Sequence, residues 1–243
     1  MPDQGLILAE CLQLDIGAAA DYVVDYRAAH LRRLEELRAD GLIESHALYR
    51  HDAVLRESAA WPAWDFLSWT VLAPGVGADP IVAALASPAR RVRTSAVTRR
   101  REVLRRTPAS YHAGPSRAAL ARGLSPYVEI EYIDVGEGHL DEYRDSMRVN
   151  SGPAMALLME RGRAVDFLAA ETVEVLVRGA GMPPWNQIHL SGRFAEDDAT
   201  HLQSFDEALR TINPAGGYER VFGRLAAYRT HPRVVRASAC LTL

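Results

Sequence analysis

The sequence has few cysteines and no long apolar run. Cys11 and Cys240 are the only two cysteines among 243 residues, and they lie far apart. This spacing predicts neither a disulfide framework nor a zinc site, and it fits a reducing, cytoplasmic compartment. No 18-residue apolar run is present, so no membrane-spanning helix is predicted. The first residues lack a basic segment, and Glu10 interrupts their apolar part, which argues against a signal peptide.

Net charge is also small. A formal charge of -3 predicts no general attraction to nucleic acid or to an anionic membrane. Residues 89–106 form a local basic run, but it lacks the interleaved aromatic residues on which single-stranded nucleic acids stack. A solvated helix face is therefore favoured there over a polyanion site. We expect neither a nucleic-acid partner nor a membrane partner.

With 48% hydrophobic and 24% charged residues, the chain can bury a substantial core. An internal repeat organises it. Residues 14–29 (LDIGAAADYVVDYRAA) resemble 133–147 (IDVGEGHLDEYRDSM), and 59–74 (AAWPAWDFLSWTVLAP) resemble 180–195 (AGMPPWNQIHLSGRFA). A third match aligns 100–106 (RREVLRR) with 218–224 (YERVFGR). The three matches occur in the same order, which predicts two similar halves, residues 1–124 and 125–243.

Each half is predicted to contain a strand, a helix, two strands and a second helix. Such a unit covers one face of its sheet with helices and leaves the other face bare. The bare faces of the two halves can close on each other around a shared lumen. The predicted fold class is therefore α+β, with two tandem ferredoxin-like repeats that form one pseudo-symmetric barrel.

This repeat pattern resembles the dimeric α+β barrel superfamily in its single-chain, tandem form. The resemblance covers nearly the whole chain. It implies a small-molecule ligand, and it admits several activities. Edge strands left over by such barrels often pair between chains, so a homodimer is expected. Members include cofactor-free monooxygenases, polyketide cyclases, isomerases and stress-response proteins. Others are haem-binding chlorite dismutases and dye-decolorising peroxidases. Because one fold hosts many activities, the site must be argued from its own residues.

The stretch PPWNQIHLSGRF (183–194) suggests such a site. Read as a strand, it places polar side chains on one face, namely Trp185, Gln187, His189, Ser191 and Arg193. The preceding strand adds Glu129 and Glu131 to the same face, and the first half contributes Trp64 and Phe66. A mostly apolar wall with a few convergent polar groups is typical of a small-molecule pocket. A satisfied polar core, in which the charges pair with one another, is the alternative.

His189 is the candidate acid or base, because an imidazole titrates near neutral pH. Glu129 is its expected carboxylate partner, since the repeat pairs Glu129 with Glu10. Gln187, Ser191 and Arg193 are candidates for binding polar substituents of the substrate.

A helix break is predicted at 150–153 (NSGP), with Ser151 as the helix N-cap and Pro153 in the first turn. Asn150 joins the candidate substrate contacts, because the resemblance implies Asn and Trp residues around the substrate. His231 is interpreted as a loop or tail residue.

The leading functional hypothesis is an enzyme that acts on an apolar, carbonyl-bearing molecule by acid-base chemistry without metal or cofactor, such as a cyclase, an isomerase or a monooxygenase. The alternatives are a non-catalytic ligand-binding or stress-related barrel, and a haem protein with His189 as the axial ligand. The chemistry is expected in the C-terminal half, because only that half has a titratable group at the positions where the first half has Phe66, Ser68 and Thr70.

Overall fold

A computed structural model describes residues 5–15, 19–86, 96–107, 111–112, 126–194 and 198–243. The strands in this part of the chain are β1 (Leu6–Leu14), β2 (Ile43–Glu57), β3 (Phe66–Leu72), β4 (Ala96–Arg106), β5 (Tyr111–His112), β6 (Pro126–Val135), β7 (Ala164–Arg178), β8 (Gln187–Phe194) and β9 (Arg229–Thr242). The helices are α1 (Ala19–Ala39), α2 (Ala78–Leu85), α3 (Leu140–Ser146), α4 (Gly152–Glu160), α5 (Asp198–Ile212) and α6 (Tyr218–Leu225). A π-helical turn, Met147–Ser151, joins α3 to α4.

Both halves have the same strand order. The neighbours run β4, β1, β3, β2 in the first half and β9, β6, β8, β7 in the second, and every pair is antiparallel. Each half is therefore a ferredoxin-like unit with a strand after its second helical segment. The predicted five-element pattern lacked that last strand. The predicted boundary between residues 124 and 125 lies outside the described residues.

Two seams between the halves close the sheet into an eight-stranded barrel. Strand β2 pairs with β9 from Ala47 to Glu57, and β4 pairs with β7 from Arg100 to Arg106. Each of the eight barrel strands thus has two neighbours, while the short β5 adds to β7. The barrel therefore supplies no free edge for pairing between chains, which was the physical basis of the expected homodimer. Dimerisation stays a prediction.

Two predictions about local structure are wrong. The C-terminal part of the basic run is strand β4 and not a solvated helix face; Arg100 within it is buried. The rest of that run lies outside the described residues. The third repeat match fails as well, because residues 100–106 are in a strand whereas 218–224 are in helix α6. The structural counterpart of β4 is β9, the last strand of the second half.

Apolar side chains fill the barrel interior. They come from both halves, and the cluster includes Ile7, Cys11, Leu67, Trp69, Ile130, Tyr132, Ile188, Leu190, Val235 and Ala237. The helices pack on the outside of the barrel. Helix α1 buries Tyr22, Tyr26, Leu34 and Leu37 against the first half, and α3 to α6 cover the second half.

No helix in the described part of the chain is long and apolar enough to cross a bilayer.

A buried ion pair lies in the interior, near the seam between β4 and β7. Arg100 Nη2 donates to Glu102 Oε2 at 2.7 Å and to the Trp185 carbonyl at 2.8 Å. Glu102 also accepts from Trp185 Nε1 at 2.7 Å and from Thr172 Oγ1 at 2.8 Å. The guanidinium stacks on the Trp185 ring, with Cζ 3.9 Å from its centre. This network therefore connects β4 of the first half to the second half.

We predict that Glu102→Gln destabilises the protein by about 3 to 5 kcal/mol, because it leaves the buried Arg100 charge without its partner. The free energy of unfolding from urea titrations measures this loss. As a control, Glu44→Gln on the exposed side of β2 should change the free energy of unfolding by less than about 0.5 kcal/mol. A similar, small effect of both variants would contradict the importance of the ion pair.

Candidate functional site

Strand β8 is buried on both faces. All eight of its residues are buried, because the barrel interior covers one face and the helices cover the other. Ile188 and Leu190 belong to the interior cluster, whereas His189 contacts Tyr143 of helix α3. The expectation that the polar face lines the barrel lumen is therefore wrong. That face lies outside the barrel, beneath the helices of the C-terminal half.

A cavity of about 130 Å³ lies between this face and the helices. Its polar wall comes from β6, β8 and β9 and includes Glu129, Glu131, His189, Ser191, Arg193 and His231. Its apolar side comes mainly from the helices and includes Met147, Met155, Phe167, Phe205 and Phe222. Arg56 of β2 and Arg229 of β9 also line it. The cavity thus has the predicted composition at a different place in the fold.

The carboxylate of Glu131 lies between two imidazole rings. Its Oε2 is 3.7 Å from Nδ1 of His189, and its Oε1 is 3.5 Å from Nε2 of His231. Strand register explains the first contact, because Glu131 pairs directly with His189, whereas Glu129 pairs with Ser191. The expected partnership of His189 with Glu129 is therefore wrong. Glu129 accepts a hydrogen bond from Arg193 instead.

Tyr143 completes the surroundings of His189. Its hydroxyl lies 3.3 Å from His189 Nε2, and burial raises the pKa of this phenol, so that the hydroxyl stays protonated and donates to Nε2. We therefore assign the His189 proton to Nδ1, which faces Glu131. Burial lowers the pKa of His189, although Glu131 opposes this effect, and the lowered pKa favours the neutral ring. Despite desolvation, which acts in the opposite direction, the neighbouring imidazoles of His189 and His231 hold the pKa of Glu131 well below its usual range.

Four other predicted site residues lie away from the cavity. Trp64 and Trp185 pack in the barrel interior, with ring centres 5.6 Å apart, and each lies against Tyr132. Phe66 lies under helix α1. Gln187 donates to Glu171 Oε2 at 3.3 Å, and Arg144 of α3 binds the same carboxylate through two nitrogens, at 2.6 and 2.7 Å. Gln187 thus helps to anchor α3 to the sheet.

The predicted helix break is a π-helical turn within a continuous helical path. Ser151 has φ -66° and ψ -47° and makes no capping bond, so the N-cap prediction is wrong. The extra residues relative to the first half are accommodated by the wider turn, a feature that is frequent at functional sites. Ser151 lines the cavity, whereas Asn150 on the same turn is not among the lining residues. Among the described residues, the Ser151 hydroxyl has no hydrogen-bond partner.

Sequence reasoning missed His231, Arg229 and Ser151 as cavity residues. The first two lie on β9, the strand that the repeat pattern did not predict. The sequence signal for this strand is the stretch RTHPRVVRASACLTL after the last helix, which is rich in β-branched residues. A ferredoxin-like unit needs a strand at that position to complete its sheet.

The described residues fit neither a metal site nor a haem held by His189. Within the described ranges, no three His, Cys, Asp or Glu side chains are grouped as metal ligands. His189 does not fit the axial position of a haem, because its two nitrogens face Tyr143 and Glu131. The cavity of about 130 Å³ is also smaller than the ~300 to 1,000 Å³ of pockets that enclose drug-sized ligands.

The closed antiparallel barrel and its outer layer of helices define the class: an α+β barrel built from ferredoxin-like halves. Solved structures of the same architecture match the chain along its length. A candidate monooxygenase from Lactobacillus acidophilus NCFM matches with a TM-score of 0.52 at 9% identity, over 99% of this chain and 98% of that one. A chlorite dismutase variant from Candidatus Nitrospira defluvii, in complex with cyanide, matches with a TM-score of 0.53 at 10% identity, over 98% and 92%.

A dye-decolorizing protein from V. cholerae matches with a TM-score of 0.52 at 9% identity, over 98% of this chain and 94% of that one. No family model and no curated protein matches the sequence. At such low identity these likenesses show the fold alone. The chain therefore has the fold of the α+β barrel proteins, and its activity stays open.

The buried, neutral state of His189 predicts a pH dependence of stability. In the unfolded chain the imidazole gains a proton below about pH 6.5, whereas the folded protein resists this protonation. The unfolded state then binds more protons than the folded state. The free energy of unfolding should therefore decrease as the pH is lowered, by up to ~1.4 kcal/mol per pH unit for this residue. Unfolding titrations between about pH 6.5 and 5 measure the slope.

His46 and His51 add to the slope, since burial lowers the pKa of each to about 3. The variant His189→Gln should therefore reduce the slope of the free energy of unfolding against pH by up to ~1.4 kcal/mol per pH unit, which corresponds to one proton. The contributions of the other two histidines should remain. Ser68→Ala, which changes no titrating group, should leave the slope as it is. An unchanged slope in His189→Gln would show that His189 is protonated in the folded state.

Proposed function

We propose that this protein is an enzyme that transfers protons on a small, largely apolar, carbonyl-bearing molecule, as a cyclase, an isomerase or a cofactor-independent monooxygenase does. The observation that carries the proposal is the Glu131 carboxylate between His189 and His231 on the wall of a cavity with an apolar side. Ionisable groups gathered in a cavity, with environments that shift their pKa values, are the usual composition of acid-base sites.

His231 is the proposed proton acceptor. The residue lines the cavity, and its buried Nε2 has no hydrogen-bond partner within the described part of the chain. Glu131 is near enough, at 3.5 Å, to stabilise the imidazolium that forms when His231 takes a proton from the substrate. Contacts of this kind are often long in the absence of substrate and shorten in the reactive complex.

His189 is proposed to orient the Glu131 carboxylate for this proton transfer. Its Nδ1 proton faces Glu131, and its Nε2 accepts from Tyr143, so one side of the carboxylate is held in a fixed orientation. A carboxylate that orients an imidazole and stabilises its cation is a common element of acid-base sites. Ser191 and the Arg193 and Glu129 pair lie on the same wall and are proposed contacts for polar groups of the substrate.

Deuterium exchange provides a test that needs no knowledge of the natural substrate. The protein is incubated in D₂O with cyclohexanone, acetylacetone or phenylpyruvate, and exchange next to the carbonyl is followed by NMR. We predict catalysed exchange for at least one of these compounds. His231→Asn and His189→Phe should each lower the catalysed rate by about 10²- to 10⁴-fold, the usual loss for acid-base assistance.

Ser68→Ala is the matched control, because the repeat places Ser68 in the first half where His189 lies in the second. This variant should retain the wild-type rate. Circular dichroism and melting curves of all three variants separate loss of chemistry from loss of fold. If His231→Asn and His189→Phe retain the rate of the parent, both are structural histidines. Failure of the protein to catalyse any exchange would favour the alternative class, a non-catalytic ligand-binding barrel.

A further inference from the structure

Two guanidinium groups at the cavity have no carboxylate partner within the described ranges. Arg229 lies at the start of β9, with Cζ 4.7 Å from the centre of the Phe222 ring, and Arg56 lines the cavity from the C-terminal end of β2. The third cavity arginine, Arg193, is paired with Glu129. Three arginines therefore line the cavity with two glutamates, Glu129 and Glu131. The excess positive charge favours an anionic ligand.

An unsatisfied hydroxyl points to the same conclusion. Ser151 is only 2% exposed, it lines the cavity, and its Oγ has no hydrogen-bond partner in the part of the chain that the structure describes. Buried polar atoms in folded proteins nearly always have a partner. A ligand with an acceptor group in the cavity would supply one.

The volume and the apolar side limit the rest of the ligand. An apolar cavity of about 150 Å³ holds one benzene molecule, and this cavity has about 130 Å³. The side chains opposite the polar wall, which include Met147, Met155, Phe205 and Phe222, suit a ring of that size.

We infer that the cavity binds a small aromatic or cyclic carboxylate, whose anionic group contacts Arg229 and Arg56 and whose ring packs against the methionine and phenylalanine side chains. This inference names the class of substrate for the proposed function. It rests on the proposed function only in that both concern the same cavity. Arg229 also interacts with the Tyr143 hydroxyl, so an anion held there lies next to the proton-carrying groups. Arginine suits this role because its planar fork binds carboxylates through two nitrogens.

Benzoate is the probe for the test. Its binding to the full chain is measured by isothermal titration calorimetry and by the rise in melting temperature, in comparison with benzamide and acetate. Benzamide has the same ring without the charge, and acetate has the charge without the ring. We expect benzoate to bind about 10- to 100-fold more tightly than either compound, since each lacks one of the two recognised features.

Arg229→Gln and Arg56→Gln should each weaken benzoate binding and reduce its advantage over benzamide, and Arg229→Lys should restore part of the affinity. The control is Arg236→Gln, since Arg236 stacks on Tyr127 at 4.6 Å and is not among the cavity residues. It should bind benzoate as the parent does. Melting temperatures without ligand identify any variant that fails to fold.

Equal affinities for benzoate and benzamide would overturn the inference, and so would benzoate binding that survives both arginine substitutions. Its failure is separable from failure of the proposed function. His189→Phe removes the proposed chemistry but should still bind benzoate. A parent protein that binds benzoate through Arg229 and catalyses no exchange supports the ligand class and contradicts the enzyme.

Discussion

Closure of the barrel is the constraint on which the other features depend. Because β2 pairs with β9 and β4 pairs with β7, every barrel strand has a neighbour on each side, and backbone groups are satisfied around the ring. Closure also separates two environments. The inner face of each strand contacts the other half, while the outer face contacts helices. A strand such as β8 is then buried on both sides, and its polar residues lie in a covered site.

The two halves use this common architecture differently. In the first half, His46 lies beneath α1, with Nδ1 2.9 Å from Thr70 Oγ1 and Nε2 3.2 Å from the Tyr26 hydroxyl. In the second half, Tyr143 occupies the position of Tyr26 in the repeat, but it contacts His189, and Glu131 is on the other side of the ring. The cavity lies beside this second set. The halves thus differ in the side chains that lie between sheet and helices.

The interior of the barrel supports the site without taking part in it. The tryptophans that the sequence suggested as substrate contacts, Trp64 and Trp185, instead pack with Tyr132 in the middle of the protein. Trp185 in turn binds the buried pair of Arg100 and Glu102. These contacts fix β8 relative to β4, and with it the position of His189. Rigid strands that hold reactive side chains in place are the general solution for such sites.

The sequence by itself determined which residues share a face. Alternation along 183–194 and the pairing of equivalent strands grouped His189, Ser191 and Arg193 with the glutamates of β6, and the repeat predicted the α+β barrel. It did not determine which side of the sheet that face would occupy. Side chains alternate with a period of two whichever side is inward, and here both sides are covered. Only the tertiary structure decided that this face lies under the helices and not in the barrel interior.

Register was likewise beyond the sequence, because a shift of two residues keeps the same face and exchanges Glu129 for Glu131 as the neighbour of His189. The strand β9 places His231 and Arg229 at the cavity through pairing with β6 and β2, contacts between segments about 100 or more residues apart. Local sequence patterns predict local periodicity, whereas the chemistry of this site depends on which distant strands become neighbours.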